Sequence, residues 1–183
     1  MVNRFIALLI LLLLSPLFLL VAVMILLEDG RPVFFIQKRV GVNYSFFQIY
    51  KFRTMKKNTP NVATHLLTNP AQYLLRIGIL LRKLSLDELP NLINIIKGEM
   101  VFVGPRPALF NQEDLMLLRV AVGVEKLKPG ITGWAQINGR DEISLEEKVA
   151  LEKEYLERKT IWLDLKILIF TFTSVLASEG VKH

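Results

Sequence analysis

The run Ser85-Leu-Asp-Glu-Leu-Pro sets two carboxylates, Asp87 and Glu88, side by side where the pattern predicts the first turn of a helix over Leu86–Ile96. The free N–H groups and partial positive charge of a helix N-terminus attract phosphate. A carboxylate held there stays ionised near neutral pH and can act as a nucleophile on phosphorus. Its neighbour can hold Mg2+ or manage a proton. Such chemistry needs cations against the phosphate oxygens. The chain offers Arg82 just ahead of the pair, Arg106 inside the rigid Pro105-Arg106-Pro107 turn, and Lys51, Arg53 and Arg140 in short polar-flanked motifs. A structural reading competes for the same residues: Ser85 as N-cap and Glu88 at the third helical position form a capping box, and Asp87 merely favours the dipole. On local pattern alone that reading is the stronger one, and each cation by itself reads as a surface charge.

Composition narrows the chemistry. The 183 residues include no cysteine and two histidines, His65 and His183, which excludes disulfides and thiolate metal sites and leaves little for a zinc centre or a histidine-based triad. Lys and Arg number 23 against 17 Asp and Glu, and the net charge of +6 suits lipid headgroups or a phosphorylated substrate. Nucleic acid is the weakest of the anionic partners, and none is expected, since there is no zinc-finger spacing, no RNP-like aromatic strand and no Lys/Arg run longer than two. Apolar residues make up 52% of the chain and the mean hydropathy is +0.39, as in a membrane-attached protein.

Much of that hydropathy lies at the N-terminus. Phe5 to Leu27 carries no charge over about 23 residues, the length of a transmembrane helix and too long for the apolar core of a signal peptide. Ser15-Pro16 interrupts it near the middle. Proline removes a backbone hydrogen bond and clashes with the preceding turn, while serine can take up the freed carbonyl. Each half is about 11 residues, or roughly 17 Å, about half of a ~30 Å hydrocarbon core. The residues therefore fit equally a kinked helix that spans and a broken helix that enters and returns. Either way Lys38, Arg39, Lys51, Arg53, Lys56 and Lys57 follow the segment and place the rest of the chain in the cytoplasm.

Beyond an anchor over residues 1–30, residues 31–183 read as one domain without internal boundary or repeat. Val33–Gly41 and Phe46–Met55 are rich in β-branched and aromatic residues and predict a hairpin around Gly41-Val-Asn-Tyr-Ser. Asn58–Pro70 reads as a mobile polar loop, and Lys128–Arg140 as a glycine-punctuated one. Helices are expected over Tyr73–Leu84, over Leu86–Ile96 with a stop at Lys97-Gly98, and over Gln112–Val122, Ser144–Lys159 and Trp162–Leu176. The fold class is mainly α with a small β-hairpin, α+β. The very apolar last helix suits the core, the membrane surface or a homodimer contact.

Several motifs follow one another in order: Ser15-Pro16 in the anchor, K-F-R-T-M (51–55), R-K-L-S-L-D-E-L-P-N (82–91), K-G-E-M (97–100), V-G-P-R-P (103–107) and K-P-G-I-T-G-W-A-Q-I-N-G-R (128–140). Together they resemble the bacterial sugar transferases, the monotopic phosphoglycosyl transferases that begin glycan assembly on polyprenol phosphate. Any one motif is weak; the ordered set is specific, covers almost the whole chain and outweighs the capping-box reading of the acidic pair. The resemblance implies an anchor that is re-entrant, broken at Ser15-Pro16, and amphipathic helices that lie at the membrane interface. It places the catalytic domain on the cytoplasmic face of a bacterial inner membrane.

It also implies a reaction. Asp87 attacks the β-phosphate of a UDP-sugar, releases UMP and forms a covalent phosphosugar-enzyme, which polyprenol (undecaprenyl) phosphate then attacks. By motif, Asp87 is nucleophile and Mg2+ contact, and Glu88 is its partner as base or metal aid. Lys51, Arg82 and Arg106 hold phosphate oxygens with help from Arg140, and Arg53, Pro105 and Pro107 belong to the substrate-binding set. The departures are small: Asn91 where many relatives have glutamine, and Glu99 where aspartate is more usual. The stretch 56–72 matches nothing closely and is the candidate for sugar choice. The resemblance further implies a catalytic core without the extra helices and domain of larger relatives. Two alternatives stand beside the transferase: a non-catalytic membrane-docked scaffold whose basic face holds anionic lipid, and a hydrolase that passes the sugar phosphate to water.

Overall fold

The computed structural model describes residues 1–60, 69–139 and 143–176. Arg140, both histidines and most of the loop expected over Asn58–Pro70 lie outside them. The apolar N-terminus forms two helices, α1 (Val2–Leu13) and α2 (Ser15–Asp29), whose axes turn by 61° at the break between them. Pro16 has no N–H to offer the Leu12 carbonyl one turn back; Ser15 Oγ donates to that carbonyl instead, at 2.8 Å. Among the described residues no single helix is long and apolar enough to cross a membrane, and only this bent pair together has the length.

Both ends of the pair are fastened to the same body of protein. Near the start Arg4 donates to the Lys97 carbonyl (3.3 Å), and Ala7, Ile10 and Leu11 pack in a core with Ile49, Leu92, Ile95 and Met100. At the far end the Glu28 carboxylate accepts from the backbone N–H groups of Arg76 and Ile77 (2.6 and 3.2 Å), and Asp29 pairs with buried Arg53. Phe18, Val21 and Ile25 join Phe52, Leu75, Ile77 and Leu81 in a second core. The outward face of the pair leaves Phe5, Leu9, Leu12, Leu19, Leu20 and Leu27 exposed. Residues 1–30 thus share both cores with the chain that follows.

The expected hairpin is present: β1 (Phe34–Val40) and β2 (Phe46–Phe52) pair antiparallel from Phe34–Phe52 to Val40–Phe46. Helix α3 covers Arg76–Lys83, shorter than expected because Pro70–Tyr73 forms a separate 3-10 turn. Helix α4 (Asn91–Lys97) ends at Gly98, whose φ of 84° gives the left-handed cap predicted for it. Further on, α5 (Glu113–Val122) follows β3 (Val101–Val103). Lys128–Arg140 is a correction to the expected loop: Gly130–Thr132 is a strand, β4, parallel to β3, and α6 covers Trp134–Asn138. Three-residue strands built around glycine give no periodic signal. What makes them pair is close approach. A Cβ on Gly104 would meet the Lys128 carbonyl at 2.3 Å, and one on Gly130 would meet the Gly104 nitrogen at 2.2 Å. Helices α7 (Leu145–Arg158) and α8 (Ile161–Leu176) close the described chain near their expected bounds.

Candidate active site

The helix expected over Leu86–Ile96 is in fact two pieces: a 3-10 turn over Leu86–Glu88, then α4 from Asn91. Pro90 is the cause, since a helix begun at Leu86 needs an N–H at position 90 for the Leu86 carbonyl. The capping box is not formed either. Ser85 sits at φ 53°, left-handed instead of extended, and its side chain caps nothing. Glu88 turns to cations instead of the backbone.

Those cations come from separate elements. Lys51, near the end of β2, donates to Glu88 Oε1 at 2.6 Å, and Arg106, in the turn after β3, reaches the same oxygen at 3.3 Å. Arg82, in the last turn of α3, donates Nε to the Thr54 hydroxyl (3.0 Å) and lies near enough to Asp87 for the two charges to attract. Asn94, fully buried in α4, fixes the acidic turn to the hairpin: its Oδ1 accepts from the Tyr50 N–H (3.2 Å) and its amide donates to the Gln48 carbonyl (2.6 Å) and the Glu99 carboxylate (2.7 Å).

Surroundings drive the two acids apart. Burial pushes Asp87 up, the Glu88 charge adds to it, and against the pull of Lys51 and Arg82 its carboxyl rises to about 6. Burial works on Glu88 too, but Lys51 and Arg106 outweigh it and hold that carboxyl down at about 2. Glu88 is thus a locked anion. Asp87 accepts no hydrogen bond from another side chain among the described residues, and its lone pairs are available for chemistry.

Arg39 has no local motif and escapes sequence reasoning as a site residue; the only signal is strand alternation, which puts it on one face with Gln37. It donates to the Pro107 carbonyl (3.0 Å) and Gln37 Oε1 (2.6 Å), and it lines one pocket with Lys51, Glu88, Asn91, Arg106 and Pro107. Burial, and then the charge of Arg106, push its guanidinium down to about 10. Arg53 lies elsewhere: it is 7% exposed, held by Asp29 and by the carbonyls of Gly30 and Pro32, and it joins the end of α2 to β2. Pro105 and Pro107 are buried on either side of Arg106. Arg140 is outside the described residues. No group of three or more His, Cys, Asp or Glu gathers among the described residues. Glu88 lines that pocket and Asp87 is its neighbour in the chain; two adjacent carboxylates fit Mg2+, which takes one or two protein oxygens and completes its shell with phosphates and water.

A carboxylate split in acidity from its neighbour and ringed by guanidinium and ammonium groups suits chemistry on phosphate, carried out beside an apolar bent helix pair. The comparisons with known proteins agree: a family model described as bacterial sugar transferase matches residues 1–178, and the chain belongs to that family of enzymes. It is 46% identical over 157 residues to the uncharacterized sugar transferase EpsL of Bacillus subtilis, covering 86% of this chain and 76% of the relative. It is 39% identical over 173 residues to the UDP-glucose:undecaprenyl-phosphate glucose-1-phosphate transferase of Escherichia coli, covering 90% of this chain and 37% of that one. A UDP-N-acetylgalactosamine-undecaprenyl-phosphate N-acetylgalactosaminephosphotransferase of Aeromonas hydrophila is 34% identical over 173 residues, 92% of this chain and 41% of its own length.

Proposed function

We propose that this phosphoglycosyl transferase moves a phosphosugar from a UDP-sugar to undecaprenyl phosphate, giving polyprenyl diphosphate-sugar and UMP, as the first membrane step of a bacterial glycan. The observation that carries the mechanism is the split dyad: Asp87 raised and accepting no side-chain hydrogen bond among the described residues, Glu88 depressed and paired with Lys51 and Arg106. Relatives named for glucose and for N-acetylgalactosamine transfer to undecaprenyl phosphate support the donor and acceptor classes and leave the sugar open.

An ionised Asp87 oxygen attacks the β-phosphorus of the donor. The bond from that phosphorus to the oxygen bridging the α-phosphate breaks, UMP departs with the electron pair, and an aspartyl-phosphosugar remains. A phosphate oxygen of the lipid then attacks the same phosphorus and frees the Asp87 carboxylate. Two polyanions using one carboxylate in turn make the kinetics ping-pong. Arg39, Arg82 and Arg106 offset the charge of the phosphate oxygens in both steps. Glu88, held anionic by Lys51 and Arg106, in turn fixes those two cations beside the nucleophile. Bound Mg2+, held by Asp87 and Glu88, would screen the diphosphate and favour the leaving group.

The bent pair enters the membrane and returns to the cytoplasmic face. Support comes from its two ends, both tied to the same domain through Arg4 and Glu28. Arms of 12 and 15 residues meeting at a 61° turn, with both ends at one interface, reach on the order of 10 Å deep, short of a ~30 Å core. That depth keeps the pocket near the headgroups, where a lipid phosphate resides. The deciding experiment is UMP release by purified protein with Mg2+, undecaprenyl phosphate and a panel of UDP-sugars, beside Asp87→Asn, with mass spectrometry for a phosphosugar on Asp87. Turnover that survives Asp87→Asn would overturn the mechanism. Multiple turnovers of UMP without lipid acceptor would make the protein a hydrolase.

A further inference from the structure

The Pro105-Arg106-Pro107 turn carries the arginine that meets Glu88, yet two of its three residues have no backbone N–H. Its carbonyls are the handles left, and each is held from a different place. The Gly130 N–H donates to Pro105 O (2.9 Å), Arg39 donates to Pro107 O (3.0 Å), and Arg119 donates to Arg106 O (2.9 Å). Arg119 stands on α5 at 5% exposure and is gripped by Glu152 of α7 at 2% exposure. The grip is bidentate: Nε to Oε2 at 2.8 Å and Nη2 to Oε1 at 2.5 Å, which leaves the second Nη2 hydrogen for the Arg106 carbonyl. Neither residue lines the pocket beside Glu88.

A buried ion pair is a poor way to join two helices, because desolvation cancels much of its attraction and apolar residues of like volume serve packing as well or better. Glu152 makes sense as the group that fixes the direction of the Arg119 guanidinium, so that a carbonyl receives a charge-assisted hydrogen bond of defined angle. We propose that the Arg119–Glu152 pair is a positioning pair for the reaction: by holding the Arg106 carbonyl it sets the Arg106 guanidinium against the substrate phosphates. The inference rests on the transferase reading of the pocket for its substrate and on hydrogen-bond geometry for the rest.

The test compares the full-length chain with Arg119→Leu/Glu152→Leu, Arg119→Lys, Arg106→Lys and their combinations. The readouts are melting temperature, kcat/KM for the donor that the wild type uses, and Kd for UDP. The double leucine variant is expected to keep its melting temperature yet lose about tenfold in kcat/KM and in UDP affinity, the scale of one charge-assisted hydrogen bond. Arg119→Lys, which still offers a charged donor, should recover part of both. In the Arg106→Lys background the leucine pair should add little further loss, since its effect runs through Arg106. A folded double variant with unchanged kcat/KM and unchanged UDP affinity would overturn the proposal, as would losses that multiply in full with those of Arg106→Lys. If the double variant melts early, Arg119→Lys with and without Arg106→Lys decides by the same non-additivity. If the wild type turns over no donor, the transferase reading fails and UDP affinity alone decides the positioning role.

Discussion

Asp87 weakens the fold when it is ionised. Its carboxyl rises from the usual 3.8 to about 6, through burial and the charge of Glu88, with Lys51 and Arg82 opposing. Between those values the folded chain keeps a proton that the unfolded chain has released. The contribution of Asp87 to stability is therefore greatest below the window and falls as pH rises through it, by on the order of 3 kcal/mol. Asp87→Asn is expected to abolish UMP release and at pH 7.5 to raise the melting temperature, an advantage that disappears near pH 4. Equal melting curves at pH 7.5 would mean that the carboxylate is not desolvated. Glu88 runs the other way: its depressed carboxyl adds stability above its unfolded value near 4.5, which is lost as pH falls toward about 2. Lys51→Met strips the shorter of its two ion pairs and should cost about 2 kcal/mol in denaturant unfolding, less than a fully buried break because Glu88 keeps 19% exposure.

Among the elements, one four-residue signature has two outcomes. Ser144-Leu-Glu-Glu forms a capping box, with Ser144 Oγ accepting from the Glu147 N–H (3.1 Å) and the Glu147 carboxylate accepting from the Ser144 N–H (2.9 Å). Ser85-Leu-Asp-Glu does not, because Pro90 forbids the helix that the cap would begin. Ser144→Ala should therefore lower stability by about 1 kcal/mol. Ser85→Gly should leave it level or raise it, as glycine accepts the φ of 53° without strain. Urea unfolding of both variants checks the contrast, and a larger loss at Ser85 would restore the capping role.

That contrast shows what kind of information the sequence holds. Alternation and 3.6-residue periodicity place the hairpin and helices α5, α7 and α8, since those signals are local. The β3–β4 pair is invisible because it rests on glycine backbones meeting across the chain, and Gly104→Ala should disrupt it with a loss of at least about 2 kcal/mol. In the site, Lys51, Arg82, Asp87, Glu88 and Arg106 stand out in compact motifs. Arg39, Arg119 and Glu152 do not, because only tertiary neighbours give them a role.

For the whole molecule, the question is which side of a membrane each end of the helix pair occupies. The chain has no cysteine, so Asn3→Cys and Arg31→Cys each offer a single thiol at an exposed position. An impermeant maleimide should label both from the cytoplasmic side alone. Labelling of position 3 from the periplasmic side would show a spanning helix. K-F-R-T-M ties the helix pair to the site: Lys51 holds the acidic turn and Arg53 holds the end of α2.

The cores shared by the helix pair and the rest of the chain bear on inheritance. Helix α2 covers Phe52, Leu75, Ile77 and Leu81, and α1 covers Ile49 and Ile95, so residues 1–30 are no interchangeable tether. A recombination event that exchanged this segment for that of a distant relative would bring in a mismatched half of two interiors. Viable chimeras among such proteins should carry their crossover points elsewhere, and a lineage that drifts on one side of the seam must drift on the other.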